Sequence, residues 1–240
     1  MAGHSKFKNI QHRKAAQDNK RAKIFTKIAR EIFTAAKLGM PDPNFNPRLR
    51  AALSNARAAN MPKANIDNAI KKAIDPSSGE NYQEMRYEGY GPGGVAIIVE
   101  ALTDNRNRTA SEVRSAFSKA GGSLGETGSL SFLFAQVGEI QYHNLNIDHD
   151  ELMLFVLDAG ASNIELSEDM HIIYTEPGDF AKVRDQLIAS YGDPDSSKLV
   201  WQANDLAEAI DAEQVEKIAK LIDVLEDNDD VQAVYCNVSV

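Results

Sequence analysis

Cysteine is almost absent from this chain: Cys236 is the only one in 240 residues. No internal disulfide can form, so the fold must rest on packing and suits a reducing compartment. Val231, Val234 and Val238 around it read as strand, which makes the thiol a packed side chain rather than a reactive one. Aromatic residues are scarce, 7% of the chain with a single tryptophan, which leaves little material for a base-stacking platform. Long apolar runs are missing. Even Leu152–Leu157 and Val95–Val99 fall far short of the roughly 20 residues a helical membrane span needs. The opening MAGHSKFKNIQHRK is basic but no apolar stretch follows it, so neither a secretory signal nor a membrane is expected, and the expected location is the cytoplasm.

Catalytic patterns are also lacking. His143, Asp148, His149 and Asp150 are ligand types without metal-site spacing and read as surface loop. No Ser-His-Asp or Cys-His arrangement stands out, and the acid-rich 204–230 segment reads as a solvated helix face. Gly89–Gly94 lacks the Lys-Ser/Thr of a phosphate loop and precedes a strand, so it reads as a tight strand connection. The chain is expected not to be an enzyme and to need no cofactor, metal or small-molecule substrate.

What the sequence does hold is charge, divided sharply along the chain. Residues 1–75 carry sixteen Lys and Arg against five acids, a net of +11. The other 165 residues carry ten against thirty, a net of −20, and the whole chain stands at −9. A basic module joined to an acidic one points to a nucleic-acid partner.

Periodicity divides the chain in the same place. Residues 1–17 read as an extended basic arm, followed by a helix from Asp18, as N-cap, to Gly39. Phe25, Ile28, Ala29, Ile32, Phe33 and Ala36 form its apolar face. Further helices fit Pro47–Asn60, capped by Asn46, and Pro62–Ile74. A linker, Asp75-Pro-Ser-Ser-Gly-Glu, follows. Strands are then expected at 84–90, 95–102 and 130–135, with a helix at 107–120 ending on Gly121-Gly122. From 138 the order is strand (138–143), helix (149–160), strands (162–168 and 170–175), helix (178–191), strand (197–203), a split β-α-β-β-α-β unit of ferredoxin type. A last helix (211–227) and strand (231–238) would complete the earlier α+β unit. The expected fold is therefore α plus α+β in three domains: a basic helical domain at 1–75, a discontinuous α+β domain at 80–136 plus 205–240, and a ferredoxin-like domain at 137–204 inserted into it.

Candidate binding residues follow from the charge. Lys20, Lys23, Lys27, Arg30 and Lys37 lie on one side of the first helix, opposite its apolar face. A solvated face would interleave acids at this spacing, and only Glu31 intrudes, which favours an anion-binding stripe. The N-terminal segment adds Lys6, Lys8, His12, Arg13 and Lys14, with Phe7 as its one aromatic. Arg106 and Arg108 stand at a helix N-terminus, where free amides favour anions. They form either a secondary anion site or a capped helix with its arginines paired to local acids.

These residues also carry a resemblance. Ala2-Gly-His-Ser-Lys6, His12-Arg-Lys-Ala-Ala-Gln-Asp18, Lys23-Ile-Phe-Thr-Lys-Ile28, Asn46-Pro-Arg-Leu-Arg50, Tyr87-Glu-Gly-Tyr-Gly-Pro-Gly-Gly94 and Asp104-Asn-Arg-Asn-Arg-Thr109 closely resemble the YebC/PmpR family over essentially the whole chain. Phe7 stands where that family usually has Trp. The resemblance implies three domains, the third inserted into the second. It also implies a regulator of gene expression: either a DNA-binding transcriptional regulator, as the family is labelled, or a ribosome-associated translation factor that acts on ribosomal or transfer RNA at proline-rich stalls. A third class of reading is an interaction module whose basic face docks on an acidic protein surface, including the chain's own C-terminal part.

Overall fold

The first proline of the chain is Pro41, and between Gly3 and Gly39 no glycine interrupts a stretch rich in Ala, Lys, Arg and Gln. Such a stretch favours one helix. In the structure, a computed structural model, α1 runs unbroken from Gly3 to Leu38. The expected extended arm is corrected: from Gly3 onward its backbone is helical, and Asp18 lies inside the helix rather than capping it. Nothing in residues 3–17 stops a helix, and the N-cap preference of one Asp does not outweigh that. The structure describes residues 3–79, 81–143, 145, 147–167, 169–207 and 211–238, with backbone only for 3–19.

Helices α2 (Pro47–Ala58) and α3 (Lys63–Ile74) pack against the C-terminal half of α1. Their shared core is Ile32, Ala35, Ala36, Leu49, Ala52, Ala56 and Ala69, all buried. Small residues let the helices approach closely but bury little apolar area. Asn46 joins the first two. Its amide donates to the carbonyls of Ala35 and Met40 (2.8 Å each), and its Oδ1 accepts from the Leu49 N–H at 3.0 Å. One side chain thus satisfies the end of α1 and the start of α2. A side chain at Gly39 would meet that amide at 2.6 Å.

The second domain is a four-stranded antiparallel sheet in the order β3-β1-β2-β8, formed by β1 (Gln83–Tyr90), β2 (Ala96–Thr103), β3 (Ser123–Leu124) and β8 (Val231–Cys236). Helices α4 (Arg106–Ala120) and α7 (Ala212–Glu226) cover one face, with Val95, Ile97, Val99, Phe117, Ile218, Leu221 and Leu225 in the core. The third domain interrupts it. Strand β4 (Phe134–His143), α5 (His149–Ala159), β5 (Asn163–Leu166), β6 (Met170–Thr175), α6 (Phe180–Tyr191) and β7 (Ser196–Ala203) make a sheet ordered β5-β6-β4-β7. All its neighbours are antiparallel, the pairing of the split β-α-β-β-α-β unit.

The strand expected at 130–135 is a correction. Residues 128–133 form turns, and the segment from Phe134 belongs to β4. The backbone amides that a strand would spend on a neighbour go instead to Glu88, buried on β1, which accepts from Gly128 at 2.9 Å and Leu130 at 2.7 Å. Leu130, also buried, packs with Phe134, Ala96 and Ile98 on the second face of the second-domain sheet, where Trp201, Ala203 and Tyr235 join them. Strand β2 is therefore covered on both sides. That is why Val95–Val99 reads as a continuous apolar run rather than an alternating one.

His171 is buried on β6, neither ring nitrogen has a hydrogen-bond partner, and His149 meets it edge-on at 5.3 Å. Burial, then the neighbouring His149, holds its pKa below the usual histidine value. A histidine that resists protonation when folded gives stability that is complete above its unfolded pKa of about 6.5 and is lost as pH falls through the depressed folded value. The melting temperature should fall as pH drops below about 6.5, and the His171→Leu variant should show a flatter profile there. An unchanged profile would remove His171 as the cause.

Candidate nucleic-acid interface

α1 is 36 residues long, about 54 Å at 1.5 Å per residue. The helical core uses it only from Phe25 onward. Residues 3–21 hold Lys6, Lys8, Arg13, Lys14, Lys20 and Arg21 against one acid, Asp18. Phe7 and His12 lie on the same turns, and the side chains of all candidates before Lys20 are outside the described residues. Lys20 is exposed. Lys37, at the other end, sets its ammonium 5.1 Å from the Phe33 ring.

The three central members of the stripe have a different surrounding. Lys23, Lys27 and Arg30 face the turn between α7 and β8. Lys23 pairs with the Asp227 carboxylate and donates to the Asp227 carbonyl at 3.1 Å. Lys27 donates to the Glu226 carbonyl at 2.8 Å. Burial lowers its pKa, although Glu226 and Asp229 pull the other way. Arg30 pairs with Asp230 at 2.7 Å and stacks over Tyr82. Lys23 and Lys27 meet the C-terminal carbonyls of α7, where the helix dipole is negative and its last turn has no base of its own.

Asp230 is the centre of this junction, its side chain 4% exposed. Besides Arg30 it accepts from Arg108 and Thr109, each at 2.7 Å, and from Thr103 at 3.2 Å. Burial would raise its pKa, but the hydrogen bonds from Arg108, Thr109 and Arg30 prevail and hold the carboxyl below the usual range. Arg108 also pairs with Asp104 at 2.8 Å. Of the two arginines at the α4 N-terminus, then, Arg108 is engaged by acids, while Arg106 is exposed. The α4 start is capped by Asn105, whose side chain accepts from the Arg108 N–H.

Sequence reasoning passed over Arg48, Arg50 and Arg57, which tie the helical domain to the other two. Arg48 bridges Glu31 and Glu84. Arg50 reaches Asp185 on α6, and Arg57 reaches Asp193 at 3.2 Å. Asn55 lies against the outer edge of β7, accepting from the Ser197 N–H at 3.1 Å and donating to its carbonyl at 3.3 Å, which satisfies an otherwise open strand edge. No local signal marks these residues, because each partner lies far along the chain. Among the described residues no group of three His, Cys, Asp or Glu is placed to hold a metal ion. None of their helices is long and apolar enough to cross a membrane.

Residues 5–75 match the family model described as the TACO1/YebC protein N-terminal domain, and residues 82–238 match that of the TACO1/YebC second and third domain. The chain belongs to the TACO1/YebC family. The second of these models is labelled as a transcriptional regulator. A crystal structure of a conserved hypothetical protein from Aquifex aeolicus is 43% identical and superposes with a TM-score of 0.84, over 91% of this chain and 90% of that one. The two therefore share the three-domain arrangement.

Proposed function

We propose that this TACO1/YebC-family chain is a non-enzymatic, cytoplasmic regulator of gene expression that binds nucleic acid through the N-terminal half of α1. The observation that supports it most is the charge of residues 3–21: six Lys and Arg against one acid, on helix turns that precede the packed core of the bundle. A helix with so little countercharge gains from polyanion contact what it loses by self-repulsion. The transcriptional label of the family supports DNA as the partner. A continuous basic helix also has the dimensions to lie in a major groove.

The test is a salt titration of the full chain on labelled duplex DNA, competed with ribosomal and transfer RNA. Contact with about six phosphates gives a slope of log affinity on log salt near −5. Preferential retention on duplex DNA supports transcriptional regulation. Transfer to RNA, with co-sedimentation on ribosomes, supports the translational role instead. A flat salt response overturns both.

A further inference from the structure

The Lys23, Lys27 and Arg30 face of α1 carries the charge expected of a phosphate-binding stripe, yet the turn after α7 already occupies it with Glu226, Asp227, Asp229 and Asp230. We propose that this acidic turn is an intramolecular competitor of the nucleic-acid backbone: it closes the central stripe of α1 in the free protein, and a polyanion displaces it. The proposal rests on the nucleic-acid reading above.

Three features make the contact an openable one rather than a fixed joint. First, it is polar. The buried apolar core of the helical bundle and that of the second domain contain no common member, although Phe33 of α1 meets Tyr82, just before β1, edge-on. Second, it is solvent-reachable. The Lys23 and Asp227 side chains are 37% and 72% exposed, and a polar cavity of about 600 Å³ opens beside them, lined by Lys23, Arg30, Arg108, Asp227 and Asp230. The exposed Lys23–Asp227 pair is weak and screened by salt, whereas Arg30–Asp230 is largely buried. Third, release strands no buried charge. When Arg30 leaves, Asp230 keeps Arg108, Thr103 and Thr109, and Arg30 and Lys27 pass to water or to phosphate. Opening therefore avoids the large penalty of an unpaired ion in the interior.

The competitor has the ligand's own chemistry. Carboxylates and helix C-terminal carbonyls present to α1 negatively polarised acceptor oxygens, as a phosphate backbone would. A ligand of higher charge density shifts such an equilibrium by its preference for the open state.

The test compares the full chain with an Asp227→Asn/Asp229→Asn variant, both positions being exposed. A charge-matched control carries Asp150→Asn/Asp158→Asn on α5. Binding to a labelled 20-base-pair duplex is measured from 0.05 to 0.5 M salt. The turn variant should bind about tenfold tighter than the control at low salt, with the gap closing as salt weakens the latch in the parent chain. Equal affinities for turn variant and control overturn the proposal. Spin labels at Ile24→Cys and Ser111→Cys, with Cys236→Ser, report the distance from α1 to α4 independently. It should lengthen on adding duplex and, without duplex, on raising salt. Tight binding at an unchanged distance overturns the latch and leaves the nucleic-acid reading standing. No binding by any of the proteins overturns the nucleic-acid reading, and with it the competition.

Discussion

Replacing Asp230 with alanine is expected to destabilise the second domain by about 3–5 kcal/mol, the cost of breaking a buried ion pair from one side. The carboxylate is almost wholly buried and receives Arg30, Arg108, Thr103 and Thr109 together. Its loss leaves the Thr109 hydroxyl, buried beneath it, without that acceptor, deprives Arg30 of its carboxylate partner and leaves Arg108 with Asp104 alone. Asp227→Ala, only three residues away but exposed, should change stability by no more than about 0.5 kcal/mol. Urea unfolding of the two variants separates the roles. If Asp230→Ala unfolds within about 1 kcal/mol of the parent, Asp230 is not the hub described above.

The same carboxylate sets an acid limit. Its folded pKa is depressed, so its stabilisation is present above the unfolded value of about 3.9 and is lost as pH falls through the folded one. This loss begins at about pH 3.9, that of His171 at about pH 6.5. A pH titration of stability should therefore show two separate losses, the later one absent in Asp230→Ala.

Charge reversal of Lys6, Lys8, Arg13 and Lys14 to Glu is expected to weaken duplex binding at least about 100-fold near 0.1 M salt and to reduce the magnitude of the salt slope by about four. The bundle should remain folded, because its core enters α1 only at Phe25. Reversal at Lys23, Lys27 and Arg30 is a poorer experiment: it breaks the junction to the α7–β8 turn at the same time. Undiminished binding in the four-residue variant would move the site to the exposed Lys63 and Lys71 of α3.

Most of the fold is local enough to read from the chain. Asn46-Pro47 announces the start of α2 through cap chemistry that involves residues only a few positions away. The left-handed Gly121 ends α4, and Gly160 ends α5, where a glycine in the sequence already points. The strand–helix order of the inserted domain follows from periodicity, and its antiparallel pairing follows from the connections. The failures occur where a distant group overrides local pattern. Leu130–Ala135 has the composition of a strand, but Glu88, 42 residues before Leu130, takes its amide. Residues 3–17, expected as part of an extended basic arm, are helical instead because nothing in their sequence stops a helix.

The sequence alone determined the charge division, the family and the identity of almost every helix and strand, because each depends on residue type and on spacing within a few turns. It placed Lys23, Lys27 and Arg30 on one side of a helix but could not say what stands opposite them. That was decided by the chain's return: residues 212–236 come back after the inserted domain, pair β8 with β2, and bring Glu226–Asp230 against α1 some 200 residues later. Coulomb attraction depends on distance in space, not on distance along the chain. The same bases that read as free for phosphate are therefore, in the folded molecule, partly spent on the acidic domain.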